Sequence, residues 1–459
     1  MDVVLLSRIQ FALNISFHYL FPPMTIGLSW MLILMEGFYM KTKDVKYKNM
    51  VMFWTKIFAL FFAMGVATGF VQVFAFGNNW SQFSKFAGNV FGALLAAEGI
   101  FAFFLEAGFL GIMLFGWDRV KPWLHYLSTI LVSLGATFSA TWIVMANSWM
   151  QTPAGYKIIG EGAQQRAVIT NLWDVYFTPS FLSRLGHVLL GCGIVGIFFI
   201  LSISAYYLLK RRHLEFARFN IKLSLVVAMV FLLLQLWSAD SSARGVARDQ
   251  PVKLAAMEGI FETKPYTPFS LIGWVDMNDE KVYGISIPGL LSFLTYHDFK
   301  QAVKGLNEFP QENWPWVPAV FYSYRTMIYA WGAMMLYAIV GLILLRKNRI
   351  ENCRWFLWLT IFSIIFPYLA NTAGWFTAEL GRQPWIVYNV LRTTGGHSNV
   401  VSASQVLGSL VMFISIYTLM SALFIFLLNE KIQHGPVTDE ERKDIQYRDP
   451  FKSGKREES

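Results

Sequence analysis

Long apolar stretches alternate with short polar segments along the 459 residues of the chain. Each stretch runs for about 20 to 28 residues, enough for an α-helix to cross a hydrocarbon core of about 30 Å. The pattern therefore predicts an all-α, polytopic membrane protein with nine transmembrane helices. They are expected near residues 9–37, 51–76, 89–115, 123–147, 182–209, 217–239, 319–345, 355–377 and 402–428.

Basic residues between the predicted helices indicate the orientation of the chain. Lysines and arginines concentrate in the loops that follow the first, third, fifth and seventh helices. Short loops rich in Lys and Arg remain on the cytoplasmic side of a membrane. We therefore expect the N-terminus outside and the C-terminus in the cytoplasm.

The same pattern divides the chain into a membrane part and a tail. We expect one transmembrane domain over residues 1–430 and a charged, disordered cytoplasmic tail over residues 431–459. The outer connections 148–181 and 240–318 are long, and long loops in compact domains usually have a function. For the 240–318 connection, an extracytoplasmic cap and a ligand-binding site are equally consistent with the residues.

Composition excludes several classes of protein. Hydrophobic residues make up 55% of the chain and charged residues 15%, whereas soluble domains carry roughly 25% charged residues. The net charge of +9 comes from the loops between helices, so we expect a lipid bilayer and no nucleic acid as partner. Two cysteines offer neither a disulfide framework nor a CxxC metal site.

A few side chains that can ligate a metal fall at one depth, near the outer side of the predicted bundle. An ionisable residue inside a membrane helix is by default a functional candidate. His18 lies about 14 Å below the outer end of its helix at 1.5 Å per residue. A lone intramembrane histidine is more often a packing residue, but convergence at one depth weakens that reading. The candidates are His18, Glu98, His187, Met327 and Glu379.

Haem is the group that best fits this set. A His–Met pair ligates low-spin haem, and a lone His leaves an iron position open for a gas. Two deep histidines are too few for a haem–copper oxidase or a bis-histidine cytochrome b, and zinc prefers three or four N or S ligands. Arg325 and Arg382 lie in outer segments, where they could pair with haem propionates or with lipid phosphate.

Two glutamates on the third predicted helix could carry protons. Glu98 and Glu106 are eight residues apart, which is about 12 Å along an α-helix and within about 80° of one face. The pair suits a relay of protonatable carboxyls, but it could equally form hydrogen bonds that only bridge helices. Glu36 lies closer to the cytoplasmic end and is expected to reach water.

Three segments resemble subunit I of cytochrome bd-type quinol oxidases. They are SRIQFALNISFHYLFPPMTIGL from Ser7 to Leu28, KLAAMEG from Lys253 to Gly259, and GWFTAELGRQPW from Gly374 to Trp385. The resemblance extends in order to about residue 430, with the nine helices of that family. It implies a location in the bacterial cytoplasmic (inner) membrane.

The resemblance also implies three haems and their ligands. His187 and Met327 would ligate a low-spin haem b, with Arg325 stabilising its propionate or its reduced form. His18 and Glu379 would ligate the active-site pair of high-spin haem b and haem d, with haem d favoured for His18. Further roles are implied for Glu98 beside the haem pair, Glu106 on the proton route, Trp375 as an electron bridge between haems, and Lys253 and Glu258 in quinol binding.

The expected function is quinol oxidation at the outer face coupled to reduction of O2 to water with cytoplasmic protons. Such an enzyme generates a proton gradient without pumping. The resemblance implies a second membrane subunit, subunit II, and leaves room for a single-helix accessory subunit. Two alternatives remain open: a proton-coupled transporter without haem, and a redox subunit that passes electrons onward without reducing O2.

Overall fold

The computed structural model describes residues 2–436, so most of the predicted tail lies outside the described residues. The long helices are α1 (Val3–His18), α2 (Pro22–Thr42), α3 (Val45–Asn78), α4 (Ser81–Ala97), α5 (Phe104–Phe115) and α6 (Pro122–Gln151), followed after the short α7 (Leu172–Tyr176) by α8 (Phe181–Leu209) and α9 (Leu214–Asp249). The remaining helices are α10 (Pro251–Glu258), α11 (Leu290–Tyr296), α12 (Val317–Arg346), α13 (Arg354–Phe362), α14 (Ile365–Leu380), α15 (Thr393–Gly396) and α16 (Ala403–His434).

Nine segments within residues 2–436 are long and apolar enough to cross a membrane, which confirms the predicted number. Most run past their predicted ends. The sixth continues to Asp249 and the ninth to His434, four residues beyond the predicted end of the transmembrane domain. Polar residues mark where a helix leaves the hydrocarbon, but they do not end its hydrogen bonding, so hydropathy places these ends too early.

Four of the nine segments are interrupted, and in the fifth, Leu172–Leu209, residues 177–180 separate α7 from α8. The first breaks between His18 and Pro22, where Pro22 and Pro23 supply no backbone N–H to continue α1. The third contains a π-helix, Glu98–Phe103, between α4 and α5. The eighth bends between α13 and α14. The predicted continuous first helix is therefore wrong, and the break places His18 in the last turn of α1.

Helix α8 forms the centre of the bundle. It packs against α2, α9 and α13. Gly27 of α2 and Gly196 of α8 let the two backbones touch: a Cβ at Gly27 would lie 2.2 Å from the carbonyl oxygen of Cys192. This contact fixes α2 against α8 and so fixes the position of the break beside His18.

The four basic loops gather at one end of the bundle. Their shared position is expected for alternate loops in a chain of membrane-spanning helices. Ion pairs join neighbouring loops there: Lys48–Asp118 at 3.0 Å, Lys46–Glu215 at 3.6 Å and Arg218–Glu351 at 2.6 Å.

Short antiparallel hairpins cover the opposite end. In the described residues they are β1 (Tyr156–Ile159) with β2 (Arg166–Ile169), β3 (Phe269–Asp276) with β4 (Lys281–Ile287), and β5 (Trp385–Val387) with β6 (Leu391–Arg392). Within the 240–318 connection, the last seven residues of α10 are all buried. This helix therefore forms part of the interior and does not merely cover helix ends.

Candidate functional site

The break after α1 presents one nitrogen of His18. The hydroxyl of Thr68 donates to the carbonyl of Met64 at 2.8 Å, so at 2.9 Å it accepts from Nδ1–H of His18. This tautomer leaves the lone pair on Nε2. His18 is thereby oriented as a neutral imidazole that can ligate a metal through Nε2.

Polar groups without partners lie one helical turn from this pair. Asn14 precedes His18 by four residues on α1, and Gln72 follows Thr68 by four residues on α3. Both amide groups are buried, and none of their four N and O atoms has a hydrogen-bond partner in the described part of the chain. Buried polar groups are normally satisfied, so this layer suits a bound group with polar edges.

The proposed low-spin ligands lie on separate helices. His187 is on α8, and the side-chain amide nitrogen of Gln235 on α9 lies 3.1 Å from its ring nitrogens. Met327 is on α12, where its sulfur would lie 3.0 Å from a Cβ at Gly374. Gly374 therefore allows Met327 to pack closely against α14.

Trp375 connects the two halves of the site. Its ring contacts that of Tyr19, the neighbour of His18, with centroids 5.7 Å apart. The guanidinium of Arg184, one turn before His187, lies 5.9 Å from the Trp375 ring centroid. Trp375 therefore lies between the surroundings of the two histidines.

Glu379 lies in the last turn of α14, at the centre of a polar cluster. Its carboxylate accepts from Asn147 at 3.0 Å and from Gln151 at 3.2 Å, both on α6. It also forms an ion pair with Arg382, and Arg184 donates to Asn147. The cluster holds the carboxylate in one orientation near the outer end of the bundle.

Lys253 extends the cluster from α10. It is 2% exposed, and its ammonium donates to Gln151 and Gln250, each at 2.5 Å. Gly381 makes room for its stem, because a Cβ there would lie 2.8 Å from Cγ of Lys253. Burial lowers the pKa of Lys253 well below its ordinary value, and two nearby arginines lower it further.

Guanidinium groups in this layer have buried nitrogens whose hydrogens no acceptor in the described residues takes. Nε of Arg184, and Nε and Nη1 of both Arg325 and Arg382, have no hydrogen-bond partner within residues 2–436. Arg184, Arg382 and Lys253 surround the single carboxylate of Glu379. Burying unpaired cations is costly, so this layer fits an anionic group such as a haem propionate. The observed burial does not support the alternative of lipid phosphate for Arg325 and Arg382.

A second buried ion pair joins the outer connection to α12. The guanidinium of Arg325 donates to Glu258 at 2.5 Å, and both side chains are at most 4% exposed. Burial raises the pKa of Glu258, although Arg325 partly offsets this. Glu258 therefore lies at a different part of the site from Lys253, which is beside Glu379.

A cavity of about 230 Å³ opens next to α10 at the outer end of the bundle. Val252 of α10 lines it, together with Gly381, Gln383 and Trp385 of the GRQPW segment. Lys253 and Glu258 are not among the residues that line this cavity.

The two glutamates of the third segment both contact α6. The hydroxyl of Ser139 donates to Glu98 at 2.7 Å. Glu106 packs against Gly135, where a Cβ would lie 2.5 Å from its Cγ. The π-helix that starts at Glu98 adds about one residue to a turn, so the glutamates lie within about 20° of one face, closer than an ideal α-helix predicts.

Sequence reasoning missed several residues and misplaced one. Arg184 was missed because it stands in the first turn of an apolar stretch, where a basic residue looks like a helix end. Glu36 is fully buried, with His125 and Thr129 as hydrogen-bond partners, so the expectation that it reaches water is wrong. Among the described residues, no three His, Cys, Asp or Glu side chains converge as a metal cage.

Comparison with known proteins gives consistent results over nearly the whole chain. Residues 6–436 match the family model "Cytochrome bd terminal oxidase subunit I". The chain is 38% identical to cytochrome bd ubiquinol oxidase subunit 1 of Bacillus subtilis (strain 168), covering 98% of each chain. It is 33% identical to cytochrome bd-II ubiquinol oxidase subunit 1 of Escherichia coli (strain K12), covering 95% of this chain and 97% of the relative.

A solved structure agrees with these matches. The bd oxidase from Geobacillus thermodenitrificans superposes with a TM-score of 0.87 at 30% identity, over 95% of this chain and 99% of the other. The family implies haem cofactors, quinol and O2 as substrates, and a second subunit. The chain therefore belongs to the cytochrome bd terminal oxidase subunit I family and is a multi-pass membrane subunit of a quinol oxidase.

Proposed function

We propose that this subunit binds two haem b groups and one haem d, oxidises quinol at the outer face and reduces O2 to water with protons from the cytoplasm. The observation that carries the proposal is the layer in which Arg184, Arg382 and Lys253 surround Glu379. Within residues 2–436, Nε of Arg184 and both Nε and Nη1 of Arg382 have no hydrogen-bond acceptor. An anionic prosthetic group would supply the missing acceptors.

Two sets of residues would hold the haems. His187 and Met327 would ligate low-spin haem b, with Arg325 beside its propionate. His18 and Glu379 would ligate high-spin haem b and haem d, with Glu98 and Arg382 alongside and haem d favoured for His18. When bound, haem supplies the iron that accepts electrons and reacts with O2.

Residues of the outer connection would handle quinol. Each quinol releases two electrons and two protons as it becomes quinone. The ionised Glu258 carboxylate would accept a hydroxyl proton, while Arg325 holds that carboxylate in place at 2.5 Å. Lys253 would orient the other side of the substrate from α10. Trp375 would lie on the path of electrons between the two haem sites.

Glu106 and Glu98 would deliver protons from the opposite side. Both carboxyls contact α6 through Gly135 and Ser139, so a proton on Glu106 would move outward along this helix to Glu98. Two quinols and one O2 give two quinones and two waters. Taking the protons for water from inside, and releasing the quinol protons outside, produces a gradient without a pump.

Oxygen uptake by the purified complex tests the proposal. With a reduced quinol, the complex of this chain with subunit II should consume O2 and produce no peroxide. Negligible uptake with all haems present would instead support the redox subunit that passes electrons onward. A preparation without haem that moves protons would support the transporter alternative, which the family assignment disfavours.

The relay has its own test. Glu106→Gln should bind all haems and yet turn over at least about tenfold more slowly, because a positioned proton donor typically contributes 10²- to 10⁴-fold. Turnover at the wild-type rate would rule out Glu106 as a proton carrier.

Glu258→Gln should raise KM for quinol and leave the haem spectrum unchanged.

A further inference from the structure

A buried cluster of three residues lies at the inner end of α6 and has no part in the sites described above. Glu36 of α2 is fully buried, as is Thr129, and His125 is 1% exposed. Nδ1 of His125 lies 2.7 Å from Oε1 of Glu36, and the hydroxyl of Thr129 donates to Oε2 at 2.6 Å. Both oxygens of the carboxyl are therefore engaged.

The contact of Nε2 of His125 determines how many protons Glu36 and His125 share. Nε2 of His125 lies 3.1 Å from the carbonyl oxygen of Met113. A carbonyl only accepts, so Nε2 carries a hydrogen. The short contact at Nδ1 then requires one more proton, either on Glu36 as a carboxylic acid or on His125 as an imidazolium. In both forms the pair is neutral overall and holds one transferable proton between Nδ1 and Oε1.

Removing that proton is unfavourable unless another replaces it. The unloaded pair would place a carboxylate against the lone pair of a neutral imidazole in a buried site, where uncompensated charge is costly. The contacts of the cluster therefore require one proton between Oε1 and Nδ1. A group of this kind can give up a proton only when it is reloaded from nearby.

The cluster is close to water on one side. The indole of Trp117 lies over His125, with ring centroids 3.8 Å apart. The ammonium of Lys48 is 5.4 Å from the Trp117 ring centroid and pairs with Asp118 at 3.0 Å. Trp117 is thus the layer between His125 and the exposed basic loops at the predicted cytoplasmic end.

The other side of the cluster leads to Glu106. Met113, whose carbonyl accepts from His125, is seven residues beyond Glu106 on the same face of α5, about 10 Å along the helix. Gly135, which contacts Glu106, is six residues beyond Thr129 on α6, about 9 Å along that helix. Both helices therefore place Glu106 about two turns above the cluster, a distance that a chain of about three water molecules spans at roughly 2.8 Å per hydrogen bond.

We propose that Glu36 and His125 form the proton-loading station that supplies Glu106 from the cytoplasm. The proton shared by Oε1 and Nδ1 moves through water to the carboxylate of Glu106, and a proton from cytoplasmic water restores the pair. The inference rests on the proposed role of Glu106 and extends that route to the inner surface.

Glu36→Gln tests the station with little change of shape. The amide oxygen can still accept from Thr129 and the amide nitrogen can donate to Nδ1, but no transferable proton remains. We expect full haem content, turnover with quinol and O2 about tenfold slower, and a larger solvent deuterium isotope effect. In reconstituted vesicles, proton uptake should slow by the same factor. If Glu36→Gln does not assemble, His125→Gln should give the same kinetic result.

Ser133→Ala is the matched control. Ser133 of α6 bonds to Ser29 of α2 at 2.9 Å, so it joins the same two helices without a titratable group. It should leave turnover and the isotope effect unchanged. If Ser133→Ala slows turnover as much as Glu36→Gln does, the cluster serves only to pack α2 against α6. An unchanged turnover rate in Glu36→Gln would refute the proton-loading role.

Glu106→Gln, measured in parallel, separates the two ideas. Slow turnover in Glu106→Gln with wild-type turnover in Glu36→Gln overturns only the station. Wild-type turnover in Glu106→Gln overturns the proton route itself.

Discussion

At the scale of single residues, Arg184 is one of three basic side chains that surround Glu379 in the outer layer. Its guanidinium lies beside Trp375, donates to Asn147 and acts electrostatically on Glu379. A hydrogen bond to a charged group contributes about 1.5 to 3 kcal/mol, so Arg184 is expected to matter for holding an anionic group.

Arg184→Gln should weaken haem retention by about tenfold or more, which corresponds to 1.4 kcal/mol per factor of ten. Pigment per mole of purified protein, measured through a dilution series in detergent, gives the change. Arg166→Gln is the control, because Arg166 is exposed on β2. Equal haem retention in both variants would contradict the anionic-ligand reading.

Glu258 gives a pH prediction at the same scale. Burial raises its pKa above the ordinary value, and only the ionised form accepts a proton from quinol. The kcat/KM for quinol should therefore fall as the pH drops through this raised pKa, at a higher pH than for an exposed glutamate. Glu258→Gln should lower kcat/KM and remove that limb, and Glu262→Gln, at an exposed position in the same connection, should retain it. An unchanged limb in Glu258→Gln would exclude Glu258 as the acceptor.

The roles of residues could be predicted where an ionisable side chain stands inside an apolar stretch. They could not be predicted where a polar side chain stands at a helix end, because such residues are common there. His18, His187 and the glutamates are conspicuous inside apolar stretches. The structure places His18 beside a helix break, Glu106 at a buried position and His187 at a half-buried position on α8. Arg184, Gln151 and Thr68 are ordinary at helix ends and faces, and only three-dimensional contacts reveal them. Glu36 was misjudged because its partner, His125, lies 89 positions away.

At the scale of elements, close helix contacts set the positions of the proton carriers. Helices α5 and α6 approach so closely at Gly135 that a Cβ there would overlap Glu106. The π-helix before α5 turns Glu98 toward the same face. Neither feature follows from hydropathy, because a π-turn has the same composition as an α-turn and an isolated glycine has many roles.

Gly135→Ala tests this contact. The new Cβ would lie 2.5 Å from Cγ of Glu106, so the carboxyl must move and turnover should fall by about tenfold, although alanine favours a helix by about 1 kcal/mol. Gly111→Ala on α5 brings the same helical preference with no atom within 4 Å and should turn over normally. The rates of oxygen uptake of the two variants are compared, and a haem spectrum is recorded for each. Equal rates would show that the contact between Gly135 and Glu106 is not needed for turnover.

At the scale of the whole molecule, the proposed reaction would generate a gradient because quinol is oxidised at one face and the protons for water come from the other. The basic loops gather at one end, with α10, the hairpins and the buried cations toward the other. The nine spans were predictable from hydropathy since each must cross the same thickness of lipid. The structure of the 240–318 connection was not, because its strands and α10 follow from tertiary packing.

Thiol labelling tests sidedness. In a Cys353→Ser background, Asn278→Cys in the β3–β4 turn should react with a membrane-impermeant reagent in intact cells, and Lys347→Cys should react only in inverted vesicles. Both positions are exposed. The opposite pattern would reverse the direction of proton movement in the proposed reaction.

The reduced-minus-oxidised optical spectrum of the purified two-subunit complex, compared between wild type and His187→Ala, tests the central claim most directly. The wild type should show low-spin haem b bands together with the red band of haem d. His187→Ala should lose the low-spin bands, keep the red band and still bind a gas ligand at the active-site haem. A wild-type spectrum without haem bands, or a His187→Ala spectrum identical to that of the wild type, would contradict the account.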